Sequence, residues 1–175
     1  TTTGKGPLKD RTLGELKELR LKDINGRVTD HQIPTLTEVF RWARGKTVLV
    51  IDKKDLSVAQ RVQQIERHNA ESYAMLISGS VDAAKECYAL NPDIMMEVFI
   101  PDRERFDAFE ASGVRWSNVI AFVGHEPTKD RELLRLLHER GVSTIAGTSR
   151  NLDRELVKQQ GQEKAEELKL EYREL

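Results

Sequence analysis

The 175-residue sequence predicts an α/β protein built on a parallel sheet. Two observations carry this reading: five short apolar runs begin at Thr47, and an amphipathic stretch at helical spacing separates each run from the next. Strand and helix alternating in this way require right-handed crossovers. Two architectures satisfy them, an open doubly wound sheet and an arc of a closed barrel. A whole eight-stranded barrel needs three more strands than the five runs supply, and typically about 250 residues.

The five runs are "TVLVID", "YAMLIS", "DIMMEVFI", "SNVIAFVG" and "VSTIAG". Between them, Val58, Val62 and Ile65 mark one helix, Val81, Ala84, Cys87 and Tyr88 a second, and Arg103 to Ala111 a third. Leu133, Leu134, Leu136 and Leu137 mark a fourth, and a charged helix that Gly161 interrupts is expected to run to Leu175. The first 45 residues have a different character. "TLGEL" from Thr12 and "TLTEV" from Thr35 both start with Thr-x-x-Glu, in which the Thr caps the helix and the Glu reaches back to it. Between them lies a polar excursion with a small hairpin at Asn25-Gly26, closed by Pro34.

A net charge of −1 with 33% charged residues gives no reason to expect a nucleic-acid partner, and no Lys/Arg run is interleaved with aromatics. Cys87 is the only cysteine, so the chain has neither an internal disulfide nor a cysteine metal site. No apolar run approaches the roughly 20 residues of a membrane helix. "TTTGKGPLKD" reads as the continuation of an upstream segment, since it lacks both Met and signal-peptide character. Compartment and oligomeric state stay open.

Chemistry is expected at the end of the first run. Side chains alternate along a strand, so Val48, Val50, Asp52 and Lys54 share one face. Asp52 and Lys54 then stand together at the carboxyl end of a parallel strand, where open sheets and barrels both hold ligands. A carboxylate there suits a hard cation, Mg2+ or Ca2+, and an ammonium beside it suits a phosphate oxygen. The plainer alternative is a helix cap or an Asp52–Lys54 ion pair.

Two families share this pattern. "VLVIDKKD" followed by "NPDIMMEVFIPD" resembles a response-regulator receiver domain, with Glu97 at the acceptor position. The chain departs from it in having Lys53 after Asp52, no hydroxyl residue after "VIAFVG", and no Lys-Pro after "STIAG". "TTTGKGPLKDRTLGELKELRLKD", "IPTLTEVFRWA" and "TVLVIDKKD" together resemble the glycerophosphodiester phosphodiesterase family over residues 1 to about 54. That resemblance implies a (β/α)8 barrel, TIM type, truncated at both ends, with residues 1–33 as the family's insertion after the second strand and 34–175 as the central and late barrel. It also implies metal-dependent hydrolysis of glycerophosphodiesters to glycerol 3-phosphate and an alcohol, with Mg2+ or Ca2+ as cofactor and a small phosphodiester as substrate.

On the same register Asp52 takes the place of the family's third metal carboxylate, usually Glu, and Lys54 that of its substrate-side Lys. The His-Arg, Glu-x-Asp and His-Asp motifs are expected upstream of Thr1. This segment by itself is therefore expected to be inactive. Weaker site candidates are Glu97 within the third run, His125 in "FVGHEP", and Thr148 in "AGTSRN", all at or near strand ends. Trp42 and Trp116 read as packing residues. A noncatalytic barrel relative that binds a ligand or partner is the third reading, kept by Asp in place of Glu at position 52.

Overall fold

The computed structural model describes residues 2–126, 128–150 and 152–154. The expected charged last helix and the break at Gly161 lie outside these residues. Two compact units divide the chain, Thr1–Arg44 and Gly45–Leu175.

In the first unit, helices α1 (Leu13–Glu18) and α2 (Leu36–Ala43) form where the Thr-x-x-Glu signals stand. Each begins with a complete capping box: Thr12 and Thr35 accept from the backbone N–H of Glu15 and Glu38, whose side chains accept in return. Between them, β1 (Arg20–Lys22) and β2 (Val28–Gln32) pair antiparallel across a turn in which Gly26 adopts φ +80°. A left-handed backbone there favours glycine, which is why the Asn-Gly signal was informative.

The second unit is the parallel sheet. Its strands are β3 (Leu49–Ile51), β4 (Ala74–Ile77), β5 (Met95–Phe99), β6 (Val119–Gly124) and β7 (Ser143–Ala146), hydrogen-bonded in that order. Helices α3 (Val58–Arg67), α4 (Val81–Leu90), α5 (Arg103–Glu110) and α6 (Arg131–Glu139) make the crossovers. Strand order follows chain order without reversal, so right-handed crossovers place all four helices on the same side. A receiver-type sheet has the order 2-1-3-4-5, and the observed order rules that reading out. It equally lacks the switch point of a doubly wound sheet and has the progression of a barrel arc.

Burial follows this one-sided winding. Ile51, Ala74, Leu76, Met96, Val98, Val119, Ala121 and Val123 are buried on the helix side, beside Val62, Ile65, Ala84, Cys87, Phe106, Phe109, Leu133 and Leu137 from the helices. The opposite face stays partly open, and Val48, Val50 and Ile145 on it are exposed. Trp116 packs on Phe106 and Phe109 at ring distances of 5.1 and 4.5 Å, as a packing residue should, whereas Trp42 is largely exposed.

The first strand is shorter than expected. Its ladder ends at the pair Ile51↔Leu76, and the Asp52 carboxylate then accepts the backbone N–H of Lys53, which turns the chain out of the sheet. Among the described residues no helix is long and apolar enough to cross a membrane. Truncating the fully buried Leu76 to Ala is expected to cost about 2–5 kcal/mol in urea unfolding. Val50→Thr on the open face is expected to stay within about 0.5 kcal/mol, and equal losses would contradict one-sided burial.

Candidate functional site

A cleft of about 620 Å3 opens on the uncovered face, at the carboxyl ends of the strands. Cross-strand register explains its composition. Ile77, Glu97 and Ile120 pair in one row across β4, β5 and β6, and Phe99 pairs with Phe122 in the next. Ile77, Glu97, Phe99 and Phe122 form the apolar floor and its single acid, while Gly124 at the end of β6 and Asp52, Gly79, His125 and Arg150 from the strand-end loops complete the lining.

Asp52 and Lys54 do meet, although through a loop and not through strand alternation. Lys54 adopts φ +39°, unusual for a side chain with a Cβ, and brings its Nζ to 2.6 Å from Asp52 Oδ2. The other oxygen, Oδ1, accepts the Lys53 N–H at 2.7 Å. The Lys54 ammonium, followed by the Lys53 N–H, holds the Asp52 carboxyl below its ordinary range, and the Asp52 carboxylate raises the Lys54 ammonium in turn. With side-chain exposures of 49% and 81%, the pair is open to water, and its net stabilisation is small. The plainer ion-pair reading is thus realised, while the helix-cap one is not, because Ser57 caps α3.

Glu97 stands half-buried on β5, and among the described residues its carboxylate has no hydrogen bond or ion pair. Burial first, and the Asp52 charge second, raise its carboxyl above the usual range. His125 follows β6 and packs edge-on against Phe122, with ring centroids 5.1 Å apart. Gly147 leaves room for it: a Cβ there would lie 2.5 Å from His125 Nδ1 and 3.3 Å from Phe122 Cε2. Thr148 lies near this group but outside the lining, and its hydroxyl donates to Asp153 Oδ2 at 2.9 Å.

Arg150 is the residue that sequence reading overlooked. "TSRN" follows β7 directly, and the rule that strand-end loops carry the chemistry points to its Arg as much as to Thr148. The cleft therefore combines two carboxylates, Asp52 and Glu97, with a guanidinium and, paired to Asp52, an ammonium. Such a set can hold an anion at its rim and keep a poorly solvated acid at its floor.

A crystal structure of a glycerophosphoryl diester phosphodiesterase from Parabacteroides distasonis superposes on this chain with a TM-score of 0.84. Sequence identity is 40%, and the match covers 87% of this chain and 54% of that one. The chain is related to the glycerophosphodiester phosphodiesterases. It spans about half the length of that phosphodiesterase, and the family resemblance carried by residues 1 to about 54 is borne out. A candidate glycerophosphodiester phosphodiesterase from Galdieria sulphuraria matches 82% of this chain and 68% of its own, with a TM-score of 0.51 and 16% identity, a likeness of fold alone. No protein-family model and no curated protein matches the chain.

Two outcomes follow from the site geometry. Gly147→Ala is expected to push His125 off Phe122, destabilising the fold by about 1–3 kcal/mol and shifting the His125 ring resonances in NMR spectra. An unshifted ring would contradict the close approach. Glu97 has a raised folded pKa, so its ionisation opposes folding: stability rises as pH falls through that folded value, and the effect is complete below the unfolded one, about 4.3. Glu97→Gln is accordingly expected to stabilise the protein at pH 7, with the gain fading toward pH 4 in parallel denaturation curves.

Proposed function

We propose that this chain is a segment of an enzyme that hydrolyses glycerophosphodiesters to glycerol 3-phosphate and an alcohol. What supports the reading most is the 40% identity to the Parabacteroides distasonis phosphodiesterase across 87% of the chain. The cleft is consistent with it, since a diester phosphate would meet cationic groups at the carboxyl ends of parallel strands.

In this reading Arg150 and Lys54 bind phosphoryl oxygens, Arg150 through a planar fork and Lys54 as a point charge. The half-buried floor formed by Phe99, Phe122 and Ile77 takes the carbon skeleton of one alcohol and keeps water from it. His125 closes one side of that floor. Glu97, raised by its surroundings, holds or accepts a proton from a hydroxyl group of the bound alcohol.

A divalent cation, Mg2+ or Ca2+, would take Asp52 as one ligand and neutralise charge on the phosphoryl oxygens when bound. The donor chemistry fits in part. Asp52 is an ionised hard oxygen donor, but both of its oxygens are already engaged, and among the described residues no three His, Cys, Asp or Glu cluster around a common point. A cation at Asp52 must therefore compete with Lys54 and find further ligands in the Glu-x-Asp segment that the family resemblance puts ahead of Thr1. The family resemblance puts the proton-transferring histidines in that same upstream part, so the segment alone is expected to be inactive.

A noncatalytic barrel relative is the second reading, and Asp at position 52, one methylene shorter than the family's usual Glu, is what favours it. Assay of glycerol 3-phosphate release separates the two. The longer protein is expected to hydrolyse a glycerophosphodiester and to lose that activity with a chelator. Asp52→Asn is expected to lower kcat/KM about 100-fold or more, and Lys54→Ala to raise KM about tenfold. Metal-dependent turnover by the 175-residue chain alone would overturn the inactive-segment reading. Equal Mg2+ and Ca2+ binding by Asp52→Asn, measured by calorimetry, would remove Asp52 from the metal site.

A further inference from the structure

Arg61 is the one charged residue among those described that is buried, at 2% exposure, and it lies outside the cleft's lining. It stands near the start of α3 with no carboxylate within ion-pair distance among the described residues. Its Nη1 donates to the Ile77 carbonyl at 2.7 Å, and its Nε to the Ser57 carbonyl at 3.4 Å. Cys87 offers no counter-charge at neutral pH, since burial pushes its thiol up to about 11. The Asp52 and Glu86 carboxylates attract it only from beyond ion-pair distance, and a buried cation without a direct ion pair among the described residues is a poor device for stability, because an apolar side chain of like volume avoids the desolvation.

Its hydrogen bonds show what the charge does locally. The β3 ladder stops at Leu76, so β3 does not reach the next residue of β4, Ile77, and the guanidinium takes that carbonyl. Ser78 follows, and its N–H and hydroxyl both donate to the Glu97 carbonyl at 3.0 and 3.3 Å. Gly79, at φ +63°, then turns the chain into α4. Ile77, Gly79 and Glu97 all line the cleft, so Arg61 fixes the wall on which two of them stand. A positive charge behind such a wall also acts across poorly polarisable protein, where its field is less screened than in water.

We propose that Arg61 is a positioning residue for phosphate binding, which clamps the carboxyl end of β4 and lends the cleft a fixed positive charge from behind. This rests on the cleft's being the phosphate subsite of the reading above. The role differs from that of Arg150 and Lys54, which meet the ligand directly. Arg61 acts through the backbone of Ile77 and through its field, so charge matters more than shape.

Calorimetric titration of the 175-residue chain with glycerol 3-phosphate tests this, using wild type, Arg61→Lys, Arg61→Met and Arg61→Gln, with thermal unfolding of each. Arg61→Met and Arg61→Gln are expected to bind about tenfold more weakly, with a flatter salt dependence, while Arg61→Lys stays within about threefold of wild type. Arg61→Gln retains a donor for Ile77 and serves if Arg61→Met does not fold. Affinity and salt dependence unchanged in a folded neutral variant would overturn the proposal, whatever happened to the melting temperature, and so would no binding by the wild type. Failure of the longer protein to hydrolyse diesters, with Arg61-dependent binding intact, would instead count against the phosphodiesterase reading.

Discussion

The parallel sheet of residues 45–154 buries one face and leaves the other partly open, and that asymmetry governs where everything else stands. It arises from strand order: β3 to β7 lie side by side in chain order, so every right-handed crossover returns on the same side. Leu76, Met96, Val98 and Ala121 are sealed by that winding, while their alternating neighbours Ile77, Glu97, Phe99 and Phe122 reach the cleft. The sheet is thus both the core and the floor of the candidate site. A substitution on one face disturbs packing, whereas one on the other changes what a ligand meets.

Electrostatics on the open side are arranged by distance from water. Asp52 and Lys54 sit at the exposed rim, where their pairing contributes little to stability but holds the carboxylate ionised. Glu97 sits deeper, where burial and the Asp52 charge make ionisation harder. Two acids of one cleft are thereby driven to opposite sides of their ordinary range. Behind the wall, Arg61 has two backbone carbonyls and no carboxylate in ion-pair contact among the described residues, which is intelligible if its charge serves the cleft and not the core.

Much of this was legible in the sequence because the signals were local. Thr12 with Glu15, Thr35 with Glu38, and Asn25-Gly26 specify caps and a turn within a few residues, and all three form. The apolar runs identified the five strands, and the "TTTGKG", "IPTL" and "VLVIDKKD" segments identified the family. What stayed hidden depends on neighbours distant in sequence. Periodicity could not say that β3 ends at Ile51, because that depends on where its ladder with β4 stops. Nor could it show that Arg150 lines one cleft with Asp52 and Glu97, or that Arg61 on an amphipathic helix is buried against Ile77. Thr148 looked equivalent to Arg150 from its place after β7, yet its hydroxyl is taken by Asp153.

The central claim is that the open-face cleft is where a phosphodiester's phosphate binds. Titrating isotopically labelled chain with glycerol 3-phosphate and following every amide by NMR tests it most directly. The account predicts saturable shifts concentrated at Asp52, Lys54, Gly79, Glu97, His125 and Arg150. Saturable shifts centred elsewhere, on the outer surfaces of α5 and α6 for example, with those six residues unmoved, would contradict it.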